Sequence, residues 1–429
     1  MNREILRIAL PAIITNVTIP LLGLVDSAIA GHLGAPSFIG AIAVGAMMFN
    51  LIYWSFGFLR MSTSGLTAQE YGRGDHQEAV RVLKHAITLA SMLSLAVIVL
   101  QLPLQWVLLR IIGPSPQVEQ LARQYFFICV WGAPPILIMM SVKGWLLGMQ
   151  NSRLPMMISI FVNVVNVIVS LLAVYVLDMG FIGIAFGTLI SEWVGLAYSL
   201  MLLWRRFPDH VRMLFSGQWR LAIDPRYFSI SGDIFLRSLL LMLVNLAMVS
   251  IGARSGDLLL AVNSLMQQLN TFFAYFLDGI AFAGEALVGK YYGARNKPRL
   301  SECVRQLFVW STVISVFFTI VYAFPHYIFA LLTSQCAVIE AALNYRWWCA
   351  LLPIAGMTAF VWDGVFVGLT RSRGMLLAVA TAAVMFFAVY FLLPQSMVNH
   401  RLWLAFVVYL VARGLVQTAL FKKFIVYSL

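Results

Sequence analysis

The chain has 429 residues, of which 61% are hydrophobic and only 11% charged, and its mean hydropathy is +0.88. Such a composition excludes a water-soluble enzyme or binding module and requires a polytopic membrane protein. The formal charge of +12 would suit a nucleic-acid partner if it formed one patch, but the basic residues are spread over short segments between apolar runs, so no nucleic acid is expected.

A spanning helix needs about 20 mostly apolar residues. Twelve such stretches are centred near Pro20, Phe49, Leu93, Ala133, Val165, Leu196, Leu241, Phe273, Ile314, Pro353, Met385 and Val411. The runs are long and continuously apolar, whereas a membrane barrel would show strands of about ten residues with alternating polarity.

The first stretch, Ile5 to Ala30, carries Asp26 at the depth of a bilayer's middle, where a charged side chain costs about 3 kcal/mol or more. An intramembrane carboxylate of this kind faces an interior cavity and marks an ion or proton path, or else is a satisfied structural group. Pro20 and Pro11 precede it on the same helix, and each removes a backbone donor and invites a kink. Arg3, Arg7 and the triplet Ala28-Ile29-Ala30 imitate a signal peptide, but the run is too long and contains Asp26. Arg60 lies within the second stretch as a candidate charge partner. Lys143 sits near the end of the fourth and can snorkel to the interface.

Polar residues then gather on the fifth stretch. Ser159, Asn163, Asn166 and Ser170 recur at helical spacing and form one face, and Thr188, Ser191 and Glu192 follow on the sixth. These are candidates for a substrate cavity or proton relay, or for interhelical hydrogen bonds alone. The seventh stretch brings Asp233 and Arg237, and Arg237 is expected to pair with Asp233 or with a carboxylate of the eighth, because an unpaired buried charge is costly. Gln267, Thr271, Asp278 and Glu285 share one face of the eighth stretch, and Asp363 occupies the tenth.

No energy-coupling enzyme is visible. The nearest approach to a nucleotide-binding loop, Gly284 to Lys290, is followed by Tyr291 in place of Ser or Thr and ends an apolar helix. The 6 histidines lack metal-ligand spacing, no hydrolytic triad is recognisable, and the 4 cysteines read as packing residues. The expectation is a protein that is not an enzyme, holds no cofactor or metal, and works by secondary transport or by channel or flippase behaviour.

Two halves are related. A shift of 221 places Tyr71-Gly72-Arg73-Gly74-Asp75 over Tyr292-Gly293-Ala294-Arg295-Asn296, and a shift of 220 places Gly144 and Gly148 over Gly364 and Gly368. The expected lobes are residues 1–204 and 227–429, joined by a cytoplasmic linker over 205–226. An even number of spans in each gives a parallel repeat about an axis along the membrane normal. With the N-terminus inside, 20 of the 29 Lys and Arg fall on the inner side, 5 on the outer and 4 within or at the ends of spans. This is the positive-inside pattern and places both termini in the cytoplasm.

The stretches Pro20 to Gly34, Phe58 to Asp75, Gly144 to Met156, Leu277 to Arg295 and Trp362 to Arg373 together resemble the multidrug and toxic compound extrusion family, in its DinF-type branch. The resemblance covers essentially the whole chain. It implies twelve helices in two six-helix lobes around a V-shaped cleft in a bacterial cytoplasmic membrane. It also implies a protein that works as a monomer among membrane lipids, exporting amphipathic, often cationic compounds in exchange for protons or sodium. By the same resemblance Asp26 is the cation-coupling residue, Asn163, Asn166 and Thr188 line the first lobe's cavity, and Asp278, Glu285 and Asp363 look like an acidic cluster of the second lobe. The span-five acid of many relatives is missing, since Asp178 falls in a loop; Glu192 stands nearest as a substitute.

The expected mechanism is proton antiport, because burial in a low-dielectric cavity favours the neutral form of a carboxylate and lets Asp26 exchange a proton as the helix bends near Pro20 or Pro11. Sodium coupling is the first alternative, opposed by the shortage of carboxylates near Asp26. A lipid-linked precursor flippase is the second, opposed by an intramembrane inventory that leans acidic.

Overall fold

The computed structural model describes residues 1–33, 35–216, 224–397 and 399–428, and its regular structure is helical throughout. Among these residues are 12 helices long and apolar enough to cross a membrane: Asn2–Gly31, Pro36–Arg73, His76–Val99, Pro116–Gly148, Arg153–Val176, Gly180–Arg206, Pro225–Arg254, Asp257–Gly293, Lys297–Ala323, Arg346–Gly368, Ser372–Leu392 and His400–Lys423. They are called spans one to twelve in that order. The number and order agree with the hydropathy of the sequence. Span one stays helical through both Pro11 and Pro20, although each proline still withholds an N–H from the carbonyl four residues back.

The repeat reaches the backbone. Span two closes on Gly74 with φ 77°, and span eight closes on Arg295 with φ 54° at the equivalent place. In both turns the next residue folds back, Asp75 N–H to the Glu70 carbonyl and Asn296 N–H to the Tyr291 carbonyl, each at 3.0 Å. That residue also caps the following helix: Asp75 accepts from Glu78 N–H at 2.9 Å and Asn296 from Arg299 N–H at 3.1 Å. The second pair of motifs behaves alike. Gln150 and Thr370 both adopt positive φ, and Asn151 and Arg371 both bond a carbonyl five residues back at 2.9 Å. Left-handed closure with these crossed bonds is the usual way to satisfy the last carbonyls of a helix.

The glycines explain how span four meets span two and how span ten meets span eight. A Cβ on Gly144 would collide with the Arg60 carbonyl, and one on Gly364 with the Ala281 carbonyl, at equivalent positions. One turn on, Gly148 lies against Ser64 and Gly368 against Glu285, again at equivalent positions. Small residues at this spacing let helix backbones approach closely in a bilayer, where packing supplies much of the association energy. Gly364→Val should therefore force spans eight and ten apart, lowering stability by about 1–3 kcal/mol. The melting temperature of the purified protein in detergent reports this, with Gly232→Ala as the control, since nothing lies within 4 Å of a Cβ there.

The halves also differ. Span two is broken into Pro36–Ser55 and Phe58–Arg73, with Phe56 and Gly57 at the break, whereas span eight runs 37 residues without interruption. Glycine's poor helix propensity accounts for the break, and the repeat puts Asp278 where span two has Gly57.

The chain forms two compact units, residues 14–231 and residues 1–13 with 232–429. The boundaries thus fall inside spans one and seven and not within the expected linker 205–226, part of which, 217–223, lies outside the described residues. Side-chain bonds explain the shift. Glu4 accepts from the Tyr291 hydroxyl at 3.0 Å and pairs with Lys290 at 3.7 Å, so the first residues belong with span eight. Tyr227 meets the Thr63 hydroxyl at 2.9 Å and Ser231 donates to Ser62 at 3.1 Å, so the start of span seven belongs with span two.

After span six, a short amphipathic helix, Pro208–Phe215, packs against spans three and six. His210 lies among Trp145 and Phe207, with ring centroids 5.7 Å from each. Its Nε2 is 3.2 Å from His76 Nδ1, and such a bond requires one ring to be neutral. Burial, and then the charge of His76, hold the His210 pKa below its ordinary value, with Asp209 acting in the opposite sense. The neutral ring is thus the form the fold prefers. Its contribution is complete above the ordinary histidine range and is lost as pH falls through the lowered pKa. Amide exchange over 208–215 should quicken as pH drops from about 7.5 to about 5, within the histidine window. His210→Gln should flatten that dependence.

Candidate functional site

Asp26 is 6% exposed, and its Oδ1 has no hydrogen-bond partner. Among the described residues no Lys, Arg or His forms an ion pair with it. A buried carboxylate oxygen without a partner is uncommon and points to a proton, a water or a ligand as its occupant.

The fifth span supplies the polar wall of the same unit. Asn163 donates from Nδ2 to the Thr18 carbonyl at 3.3 Å, two residues before Pro20. One turn along, Asn166 donates to Thr188 Oγ1 at 3.2 Å, and Thr188 in turn donates to the Ile184 carbonyl at 3.2 Å. Ser159, Asn166 and Ser170 are buried, as their helical spacing predicts, while Asn163 is half-buried. Asn166 Oδ1 and Ser170 Oγ share with Asp26 Oδ1 the lack of any partner. Gly187 makes the close approach of span six to Ser170 possible.

Three residues join this site without a clear sequence signal. Tyr125 lies within electrostatic reach of Asp26, and its hydroxyl reaches Thr188 and Cys129. Cys129 feels both Asp26 and Glu192 and donates to the Ala185 carbonyl at 3.6 Å. Tyr53, whose hydroxyl is buried without a partner, feels Glu192. In a chain with 15 tyrosines, none is distinguishable by spacing from a lipid-facing or core aromatic. Lys143, expected to snorkel, is instead electrostatically coupled to Glu192. The two acids therefore differ: Glu192 has a basic neighbour, and among the described residues Asp26 has none.

The second unit departs from expectation. Arg237 pairs neither with Asp233 nor with an acid of span eight. Its guanidinium donates to Asp363 Oδ2, as does Arg413, while Gln417 donates to Asp363 Oδ1 at 2.8 Å. Asp233 accepts from the Ser372 hydroxyl at 2.7 Å. The expectation failed because the partner lies 126 residues away in sequence. Asp363, engaged by two guanidiniums, is not an open acid. Glu285 is buried and Asp278 half-buried on span eight, and among the described residues no three His, Cys, Asp or Glu side chains gather as a metal site would require. Asp278, Glu285 and Asp363 thus form no common ligand set. Arg60 is half-buried, its backbone against Gly144. Of Arg413, Gln417 and Tyr409, which complete this cluster, Arg413 alone carries a sequence signal, a basic residue inside an apolar run.

The MatE family model matches residues 11–172 and 234–393. The chain belongs to the MatE family. Members are transporters and not enzymes, so this chain is a multi-pass transporter of small molecules. It is 36% identical to the DNA damage-inducible protein F of Escherichia coli K12 over 98% of this chain and 92% of that protein, which agrees with a DinF-type assignment. It is 21% identical to a probable multidrug resistance protein NorM of Photorhabdus laumondii over 88% of this chain and 84% of that one. Among solved structures, an outward-facing multidrug resistance MATE transporter shares the fold with TM-score 0.87 at 18% identity, over 99% of this chain and 95% of that chain. The Vibrio cholerae MATE transporter VcmN in its bent form does so with TM-score 0.84 at 18% identity, over 98% and 96%. Multidrug efflux is the activity of the family to which these MatE relatives belong.

Proposed function

We propose that this MatE transporter exports amphipathic and cationic compounds in exchange for protons, with Asp26 as the coupling residue and no cofactor. The observation that carries the reading is the partnerless Oδ1 of a carboxylate buried in span one. A proton taken up there neutralises the carboxylate and changes the electrostatic cost of holding the helix in place. The bond from Asn163 to the Thr18 carbonyl ties the polar wall to the turn weakened by Pro20, so protonation and helix bending share one mechanical link. A cationic substrate competes for the ionised form, and by reciprocity it favours release of the proton. The working orientation is that of a bacterial cytoplasmic membrane with both termini inside and a single chain as the working unit.

The deciding assay uses proteoliposomes and a lipophilic cation such as tetraphenylphosphonium. A proton gradient alone should drive accumulation, and a sodium gradient alone should not. Transport driven only by sodium would refute proton coupling in favour of a sodium antiporter. Transport of neither ion's dependence, with movement of a lipid-linked pyrophosphate instead, would favour a flippase.

A further inference from the structure

The buried charges of the second unit do not balance. Arg237, Arg413 and Asp363 are in direct contact and are 5%, 4% and 7% exposed. They carry two positive charges and one negative. The groups acting electrostatically on Arg237 are Asp363, Arg413 and Tyr409, so among the described residues no second acid completes the set. Arg237 lies about 18 Å along its span from Pro225, at the rise of an α-helix, which is membrane depth and not the interface. An excess charge there is costly unless something compensates it.

The hydrogen-bond inventory has the same sign. Both oxygens of Asp363 are engaged, Oδ2 by the two guanidiniums and Oδ1 by Gln417. The Nε of Arg237 and the Nε of Arg413 are buried with no partner, and the Tyr409 hydroxyl faces the Arg413 guanidinium. Two guanidinium N–H groups are left over against a single neutral acceptor, Gln417 Oε1. Phe360 lies against the Arg413 guanidinium at 5.8 Å, so an apolar wall adjoins the charge. Guanidiniums bind carboxylate and phosphate oxygens better than any other side chain.

We propose that the Arg237–Arg413–Asp363 cluster with Tyr409 is a binding site for one anionic oxygen group, carboxylate or phosphate, at the head of an amphiphile. This deepens the reading of the protein as an exporter of amphiphiles by adding acids to its substrates, and it does not depend on proton coupling. Two sources carry that chemistry, an exported organic acid and an anionic bilayer lipid.

Equilibrium binding tests it without any gradient, so a failure of proton coupling leaves the result unchanged. Full-length protein in phosphatidylcholine nanodiscs is titrated with dansylaminoundecanoic acid and with its methyl ester, which has the same body and no charge. The acid should bind about tenfold tighter than the ester, the value of a charge-assisted hydrogen bond. Arg237→Gln and Arg413→Gln each bring the buried sum to zero and should bring the ratio close to one. In nanodiscs containing phosphatidylglycerol, loss of acid binding by competition identifies the lipid as the occupant, and undiminished binding identifies the free acid; either supports the site. A ratio near one in the wild type overturns the proposal, as does a wild-type ratio in both variants. If neither variant folds, the wild-type ratio decides alone.

Discussion

Asp26→Asn should cut proton-driven export severalfold or more while leaving the protein at least as stable as before. Asparagine fills the same space and cannot give up a proton, so the coupling free energy carried by that group disappears. A single coupling interaction of the usual size corresponds to about 5- to 150-fold in substrate affinity between the two states, and drug-driven proton release from inside-out vesicles should fall by a factor in that range. Stability should move the other way. The wild-type carboxylate is 6% exposed with an unpartnered oxygen and, among the described residues, no basic partner, and burying an unpaired charge is destabilising. Its neutral isostere should therefore raise the melting temperature or leave it unchanged. The opposite pattern, a folded-state penalty with transport intact at normal expression, would make Asp26 a structural carboxylate and remove it from the mechanism.

The span pattern and the repeat were readable from sequence because they rest on local rules. Hydropathy over about 20 residues sets a span, and the paired turns at Asp75 and Asn296 depend on residues adjacent in the chain. The face Ser159, Asn163, Asn166 and Ser170 was readable for the same reason, since it is a property of one helix. Partners were not. Periodicity shows which residues share a face but not which face they meet, so it could place Arg237 on span seven and still miss Asp363 on span ten and Arg413 on span twelve. The boundary between the compact units, inside spans one and seven, is hidden from sequence in the same way. The run from Arg205 to Arg226 is the most polar stretch between spans, but polarity reports exposure to water. The bonds of Glu4 to Tyr291 and of Tyr227 to Thr63, which carry the ends of spans one and seven into the other unit, leave no mark on hydropathy. Glycine spacing lies between the two cases: Gly144-x-x-x-Gly148 and Gly364-x-x-x-Gly368 announced close packing, and only the structure named Arg60 and Ala281 as what is packed against.

The second large effect belongs to Asp363, and it falls on stability. Asp363→Ala should cost about 3–5 kcal/mol, because removing one partner of a buried ion cluster leaves the others uncompensated; here two guanidiniums would remain at membrane depth with no counter-charge. Asp233→Ala is the comparison, since it loses one hydrogen bond to Ser372 and should cost about 1 kcal/mol. Unfolding of the two variants under one set of detergent conditions gives the ranking. A third variant, Arg237→Met, Asp363→Leu and Arg413→Met together, removes the whole cluster and should be neutral or stabilising, as replacement of buried ion sets by apolar residues of similar size often is. The three measurements separate a cluster kept for the fold from one kept for a ligand. If the cluster exists only to hold spans seven, ten and twelve together, the triple variant is stable and exports every substrate as before. If the excess positive charge exists to receive an anion, the triple variant is equally stable and still expels lipophilic cations, but no longer prefers the dansyl acid to its ester. Stability alone cannot select between these, and the acid preference can, because it is the one property that depends on the sign of the missing charge.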